Sequence, residues 1–173
     1  MRIFTLLILL SLPVLSQAQE EDAPYLKNPV LPQFSILNSD STSWYTSRDI
    51  RKGMPVMIML FSPDCEHCQD QTAILVKNMD KLKNTEIIMS TFQPVYKMKD
   101  FCNTYKLVKY PNVHVGRDVK YFFGPYYRMK YSPFIAIYDK DRKLVRVFEG
   151  GAKIDKLLAL LEKKDEVNDD DDF

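Results

Sequence analysis

Pro55-Val56-Met57-Ile58-Met59-Leu60-Phe61-Ser62-Pro63-Asp64-Cys65-Glu66-His67-Cys68 is the stretch that decides how the rest of this chain is read. Its first seven residues show no polar alternation, the pattern of a central strand buried on both faces. Past Cys68, Thr72, Leu75, Val76, Met79 and Leu82 recur at helical spacing. A buried strand therefore hands two thiols, three positions apart, to the first turn of a helix. The N-terminus of a helix offers unpaired backbone N–H groups and the positive end of the dipole, and both favour a thiolate.

The flanking sequence continues the alternation of strand and helix. Glu86 to Phe92 reads as the next strand. Pro94 suits the first turn of a helix whose apolar stripe is Val95, Met98, Phe101, Cys102 and Tyr105. Asn112 to Val115 reads as a short strand, and the aromatic-rich run from Asp118 to Tyr127 as helical up to Gly124-Pro125. Phe134 to Tyr138 is a strand, Asp139 to Lys143 a charged turn, and Leu144 to Phe148 the partner strand. Gly150-Gly151 then breaks into a last helix that buries Ile154, Leu157, Leu158 and Leu161. Upstream, Phe34 to Leu37 and Trp44-Tyr45 are strand-like around a polar turn, and Ser47 to Gly53 reads as a helical turn ending at glycine. This order predicts an α/β domain over residues 33–162, a central mixed sheet with helices on both faces.

Composition bounds the remainder. The chain has 173 residues, 46% hydrophobic and 27% charged, which suits one globular domain with a real core. Residues 1–18 read as a signal peptide: Arg2 precedes an apolar run from Ile3 to Leu15, and Ser16-Gln17-Ala18 offers small residues for cleavage. Residues 19–32, with three prolines and an acidic cluster, read as a flexible lead-in, and 163–173 as an acidic disordered tail. The leader removes one basic and no acidic residue, so the mature chain carries equal numbers of each sign. That balance gives nucleic acid or an anionic membrane surface nothing to bind, and leader cleavage leaves no stable membrane anchor. Five glycines argue against a Gly-rich loop fold, and no phosphate-cradling glycine pattern is present.

Thiol–disulfide exchange needs an attacking thiolate and a second thiol that resolves the mixed disulfide. Cys65 is the candidate nucleophile, Cys68 the resolving thiol, and Cys65–Cys68 the redox-active disulfide. His67 would favour the thiolate, whereas Glu66 and Asp64 oppose it, and the helix end with His67 should outweigh Glu66. A structural bridge at this spacing closes a tiny loop and stabilises little. A metal site would draw on Cys65, Cys68, His67 and His114, but no second Cys pair or His-x-x-x-His accompanies them, so no metal and no dissociable cofactor are expected. Cys102, on the apolar stripe of its helix, reads as a buried inert thiol. Ser62 stands three residues before Cys65, as in a peroxiredoxin, but position 58 is Ile where that motif needs Pro, so peroxidase activity is not assigned.

The strand–Cys65-x-x-Cys68–helix unit, with Ser132-Pro133 before the strand Phe134 to Tyr138, resembles the thioredoxin-like superfamily, especially its exported TlpA-like (thioredoxin/redoxin) branch. The resemblance implies a three-layer sandwich in which a cis Pro133 faces the cysteines and Ser132 offers its backbone to an extended substrate. The chain departs from the family pattern at Asp64, where Trp is common, and at Gln71, where many TlpA-like proteins carry Glu. The reading that follows is an exported thiol–disulfide oxidoreductase, periplasmic or secreted. It would exchange a disulfide with protein thiols or disulfides and be served by an upstream redox partner. The alternative is a non-catalytic thioredoxin-like binding module that uses the same groove.

Overall fold

The computed structural model describes residues 22–162. The expected leader and acidic tail lie outside them. In chain order the elements are α1 (Pro24–Lys27), β1 (Ser35–Leu37), β2 (Trp44–Thr46), β3 (Val56–Leu60), α2 (Glu66–Lys77), α3 (Met79–Leu82) and β4 (Glu86–Thr91). They continue with α4 (Val95–Thr104), a 3-10 turn at Leu107–Lys109, β5 (Val113–Arg117), α5 (Phe123–Tyr127), β6 (Phe134–Tyr138), β7 (Leu144–Glu149) and α6 (Ile154–Glu162).

The seven strands form one mixed sheet in the order β2-β1-β5-β4-β3-β6-β7. Parallel pairing joins β3 to β4 and β4 to β5, while β6 runs antiparallel to both β3 and β7. The absence of polar alternation in β3 has a simple cause. Successive side chains point to opposite faces, and both faces are covered. Met57 and Met59 join a core built from α2, α3, α4 and α6. Val56, Ile58 and Leu60 join a second core with Phe123 and Tyr127 of α5. The expected three-layer arrangement is thus the observed one. At the far side of the sheet, Gly116 lets β5 approach Ile36 of β1 so closely that a Cβ there would sit 2.6 Å from the Ile36 side chain.

Three local expectations are corrected. The run from Asp118 is not helical at its start: Tyr121 has φ +52, and α5 begins only at Phe123 and continues through Gly124-Pro125 to Tyr127. The Asp118 carboxylate accepts the Phe123 N–H at 2.9 Å, which starts the helix there, and Pro125 falls in the first turn, where its missing N–H costs nothing. Ser47 to Gly53 is a series of turns rather than a helical turn, because the Asp49 carboxylate takes the Thr46 N–H and hydroxyl at 2.7 Å each. The lead-in assigned to 19–32 is held wherever it is described. Leu31 N–H donates to Arg142 O and Leu144 N–H to Pro29 O, both at 2.8 Å, and Val30 bridges Lys143. Proline content predicted mobility, but Pro24 opens α1 and the segment at Pro29–Leu31 runs along the β6–β7 hairpin.

Candidate active site

The chain leaves β3 at the C-terminal edge of the parallel strands, with Phe61 N–H donating to Ser90 O at 3.0 Å. Gln69 Nε2 donates to Pro63 O at 2.9 Å and ties the connecting loop to α2. Cys65 is the N-cap of that helix, and its sulfur accepts the Cys68 N–H at 3.4 Å. A thiolate at this position would take one of the backbone donors that every helix start leaves free. Cys65 is half-buried, and its sulfur lies 3.9 Å from Ser132 O, within reach of an S–H···O contact. The Ser132-Pro133 bond is cis. The expected juxtaposition of Cys65 with the Ser132-Pro133 loop is therefore present.

Cys68 differs from Cys65 in its access to solvent. It is fully buried. Burial pushes its thiol up to about 12, reinforced by the hydrogen bond with Cys65 and offset in part by the Ser62 backbone. Both cysteines are thiols here, not joined in a disulfide. Cys102 sits in the α4 core, and burial raises it to about 11.

Two groups around the pair, Lys97 and Glu149, escaped the sequence reading, as did the partner of a third, Gln71. Lys97, from the first turn of α4, pairs with Asp64 at 2.5 Å and so opposes the negative charge beside Cys65. Glu149, at the end of β7, accepts the Lys130 and Tyr131 N–H groups at 3.1 and 2.9 Å, which fixes the loop leading into Ser132-Pro133. Gln71 is buried three residues after Cys68, and its Oε1 accepts the Ala152 N–H at 2.8 Å. It also approaches Gly151, which has φ +101 and stands beside Pro133. Gln71 thereby holds the loop before α6 against the cysteine helix. Its departure from the family's Glu was visible in sequence, whereas the partner was not.

The remaining predicted residues separate. Glu66 and His67 occupy the first turn of α2 and are exposed. Solvent and salt screen any effect they have on Cys65. His114 does not join the cysteines. Its Nε2 lies 2.9 Å from the fully buried Glu86 at the opposite end of the strands, and its ring stacks on Tyr45 at 4.0 Å. The four side chains weighed as metal ligands are thus not brought together. Of the aromatic group after Asp118, Phe123 and Tyr127 are core, while Tyr121 and Tyr131 are exposed.

A buried central strand, two thiols at the head of a helix and a cis-proline loop opposite them define a thioredoxin-like protein. More particularly, residues 28–156 match the AhpC/TSA family, and the chain belongs to it. No curated protein sequence matches the chain. Among solved structures it is similar to a secreted Mycobacterium tuberculosis disulfide oxidoreductase homologous to E. coli DsbE. That pair is 16% identical with a TM-score of 0.62 and covers 75% of this chain and 94% of that one. It is similar also to the exposed lipoprotein thioredoxin Etrx1 of Streptococcus pneumoniae (24%, TM-score 0.58, 76% and 98%). The peroxidoxin BcpB of Mycobacterium tuberculosis aligns as well (15%, TM-score 0.63, 76% and 93%). These likenesses show the shared fold.

Proposed function

We propose that this protein is a thiol–disulfide oxidoreductase in which Cys65 attacks and Cys68 resolves. The observation that carries the reading is the asymmetry of the pair. One sulfur is reachable, caps a helix and faces the Ser132-Pro133 loop; the other is buried and keeps its proton. In the reducing direction the Cys65 thiolate attacks one sulfur of a substrate disulfide. The S–S bond breaks, a Cys65–substrate disulfide forms, and the first substrate thiolate leaves. Cys68 then loses its proton and attacks the Cys65 sulfur. The Cys65–Cys68 disulfide forms, and the second substrate thiolate departs carrying the electron pair. Oxidation of a dithiol is the same path reversed.

The binding partners on this reading are protein thiols or disulfides, laid along Ser132 and Pro133, together with an upstream redox partner. A cleaved leader over 1–18 and a domain from about residue 33 to 162 complete it. Export to a periplasm or beyond the cell is supported by the leader pattern and by the secreted and exposed proteins that share the fold. Glu66 and His67 act only as weak modulators of the Cys65 thiolate.

The test is insulin reduction and oxidative refolding of a scrambled substrate with purified protein. Cys65→Ser is expected to abolish both, and Cys68→Ser to accumulate mixed disulfides that dithiothreitol releases. A protein that holds its partners equally well through both substitutions is instead a binding module. Peroxide consumption that outpaces disulfide exchange would make it a peroxidase.

A further inference from the structure

Beside the cysteine end of the sheet, on the face that carries α5, lies a cavity of about 100 Å³. Leu60, Phe123 and Met129 form apolar walls, and Phe92 and Tyr121 stand exposed at the rim with ring centroids 6.2 Å apart. Three buried polar residues line it, Asp118 at 5% exposure and Ser90 and Thr91 at 2% each, and Thr91 Oγ1 is engaged, accepting the Gln93 N–H at 3.2 Å. Asp118 Oδ1 and Ser90 Oγ have no hydrogen-bond partner. Capping of α5 accounts for the other carboxylate oxygen, which takes the Phe123 N–H, but for neither orphan. Native structures rarely leave buried polar atoms unpaired, so a pair of them in one cavity calls for a donor from outside.

We infer that this cavity binds an alkylammonium group, a lysine side chain of a partner polypeptide or a free primary amine. The chemistry follows from the lining. An unpartnered carboxylate oxygen accepts from N⁺–H, and the neighbouring hydroxyl accepts a second hydrogen. The apolar walls take the methylene stem, in the way lysine stems lie along apolar surface. The aromatic rim favours a cation on its way in. The site makes no use of either thiol, so it stands or falls independently of the redox reading.

Gly124 supplies a clean block. It lines the cavity, and a Cβ added there meets nothing within 4 Å, so Gly124→Leu starts a side chain at the cavity wall without a clash at its first carbon. The experiment is an NMR titration of the ¹⁵N-labelled full chain, following the amides of Ser90, Asp118 and Phe123. It uses n-butylammonium, n-butanol, butyramide and Nα-acetyl-lysine N-methylamide, and is repeated in Cys65→Ser. The expected result is saturable binding of n-butylammonium in the millimolar range, as suits so small a ligand. The two neutral analogues should bind at least tenfold more weakly. Asp118→Asn, which keeps the capping oxygen, should weaken n-butylammonium at least tenfold, Ser90→Ala by a smaller factor, and Gly124→Leu should abolish binding. Binding by the lysine derivative as well identifies a polypeptide side chain as the source; its exclusion while n-butylammonium binds identifies a free amine. The inference is overturned if n-butylammonium gives no saturable shift, if the neutral analogues bind equally, or if the folded Asp118→Asn and Gly124→Leu proteins bind as the parent does. Loss of exchange activity in Cys65→Ser with butylammonium binding intact separates this site from the redox assignment.

Discussion

The two ends of the parallel strands treat an ionisable group in opposite ways. Where β4 begins, Glu86 is fully buried and saturated: Arg51 Nε donates to one carboxylate oxygen and His114 Nε2 lies 2.9 Å from the other. Arg142 closes the same end by donating to the carbonyl of Arg51 at 2.7 Å. Just past the end of β3, Cys65 has one backbone donor at 3.4 Å and one carbonyl at 3.9 Å, and it stays partly open to solvent. A charge that is buried must be paired or it destabilises the fold. A sulfur that is to react must be left incompletely satisfied and within reach. The first arrangement serves stability, the second is the one the proposed exchange chemistry requires, and one pair of neighbouring strands carries both.

The sharpest way to break this contrast is to exchange the reactive group for an inert one. Cys65→Ser should lower thiol–disulfide exchange by roughly a hundredfold or more. Its stability in urea should move by no more than about 0.5 kcal/mol, as befits a partly exposed cap. A variant that unfolds readily would show that Cys65 belongs with the structural groups. The reciprocal change is Arg51→Ala, which leaves buried Glu86 with His114 as its remaining side-chain partner. It should cost about 2 kcal/mol in equilibrium unfolding while the alkylation rate of Cys65 stays at the parental value. Altered alkylation would mean that the two ends communicate.

Alkaline pH sharpens the comparison from another side. The folded state raises Cys68 to about 12 and Cys102 to about 11, against an ordinary thiol value of 9.0. Between those limits the unfolded chain binds fewer protons than the folded one, so stability falls as pH rises. It should be intact below about pH 9 and decline through pH 11 to 12. In the reduced protein, Cys102 alone accounts for about 1 kcal/mol of loss by pH 10. Urea unfolding of the parent and Cys102→Ala at pH 8 and pH 10 reads that difference directly. A parent no less stable at pH 10 would contradict the protonated, buried state of both thiols. The smallest effect belongs to Lys97→Ala. Freeing the Asp64 charge should slow alkylation of Cys65 by about twofold, because like charge disfavours a thiolate. The slowing should vanish at high salt.

What could be read in advance follows the range of the signal. β3 and α2 were legible because burial on two faces and a 3.6-residue stripe are local patterns, and the CxxC spacing lies within four residues. The cis Ser132-Pro133 loop was legible only through family resemblance, since nothing near Pro133 in the chain points toward Cys65. The start of α5 was misplaced because aromatic content resembles a helix stripe, whereas the Asp118 carboxylate decides where the helix begins. The lead-in was misjudged because its partner, the β6–β7 hairpin, lies more than a hundred residues away. Lys97 with Asp64, Gln71 with Ala152 and Arg51 with Glu86 are separated by 33, 81 and 35 residues, and no local pattern marks such pairs.

Taken alone, the amino-acid sequence determined the strand–cysteine–helix unit, the alternation of elements and the identity of the thiols, because propensity, periodicity and spacing act over a few residues. The tertiary structure supplied the burial that separates the two thiols whose roles the spacing had suggested, half-open Cys65 and sealed Cys68. It also decided which carbonyl faces the half-buried sulfur, which charge is saturated by distant partners, and where two buried polar atoms meet in a common cavity. Those outcomes depend on packing between segments far apart in the chain, where burial and hydrogen bonding are set by neighbours that only folding brings together.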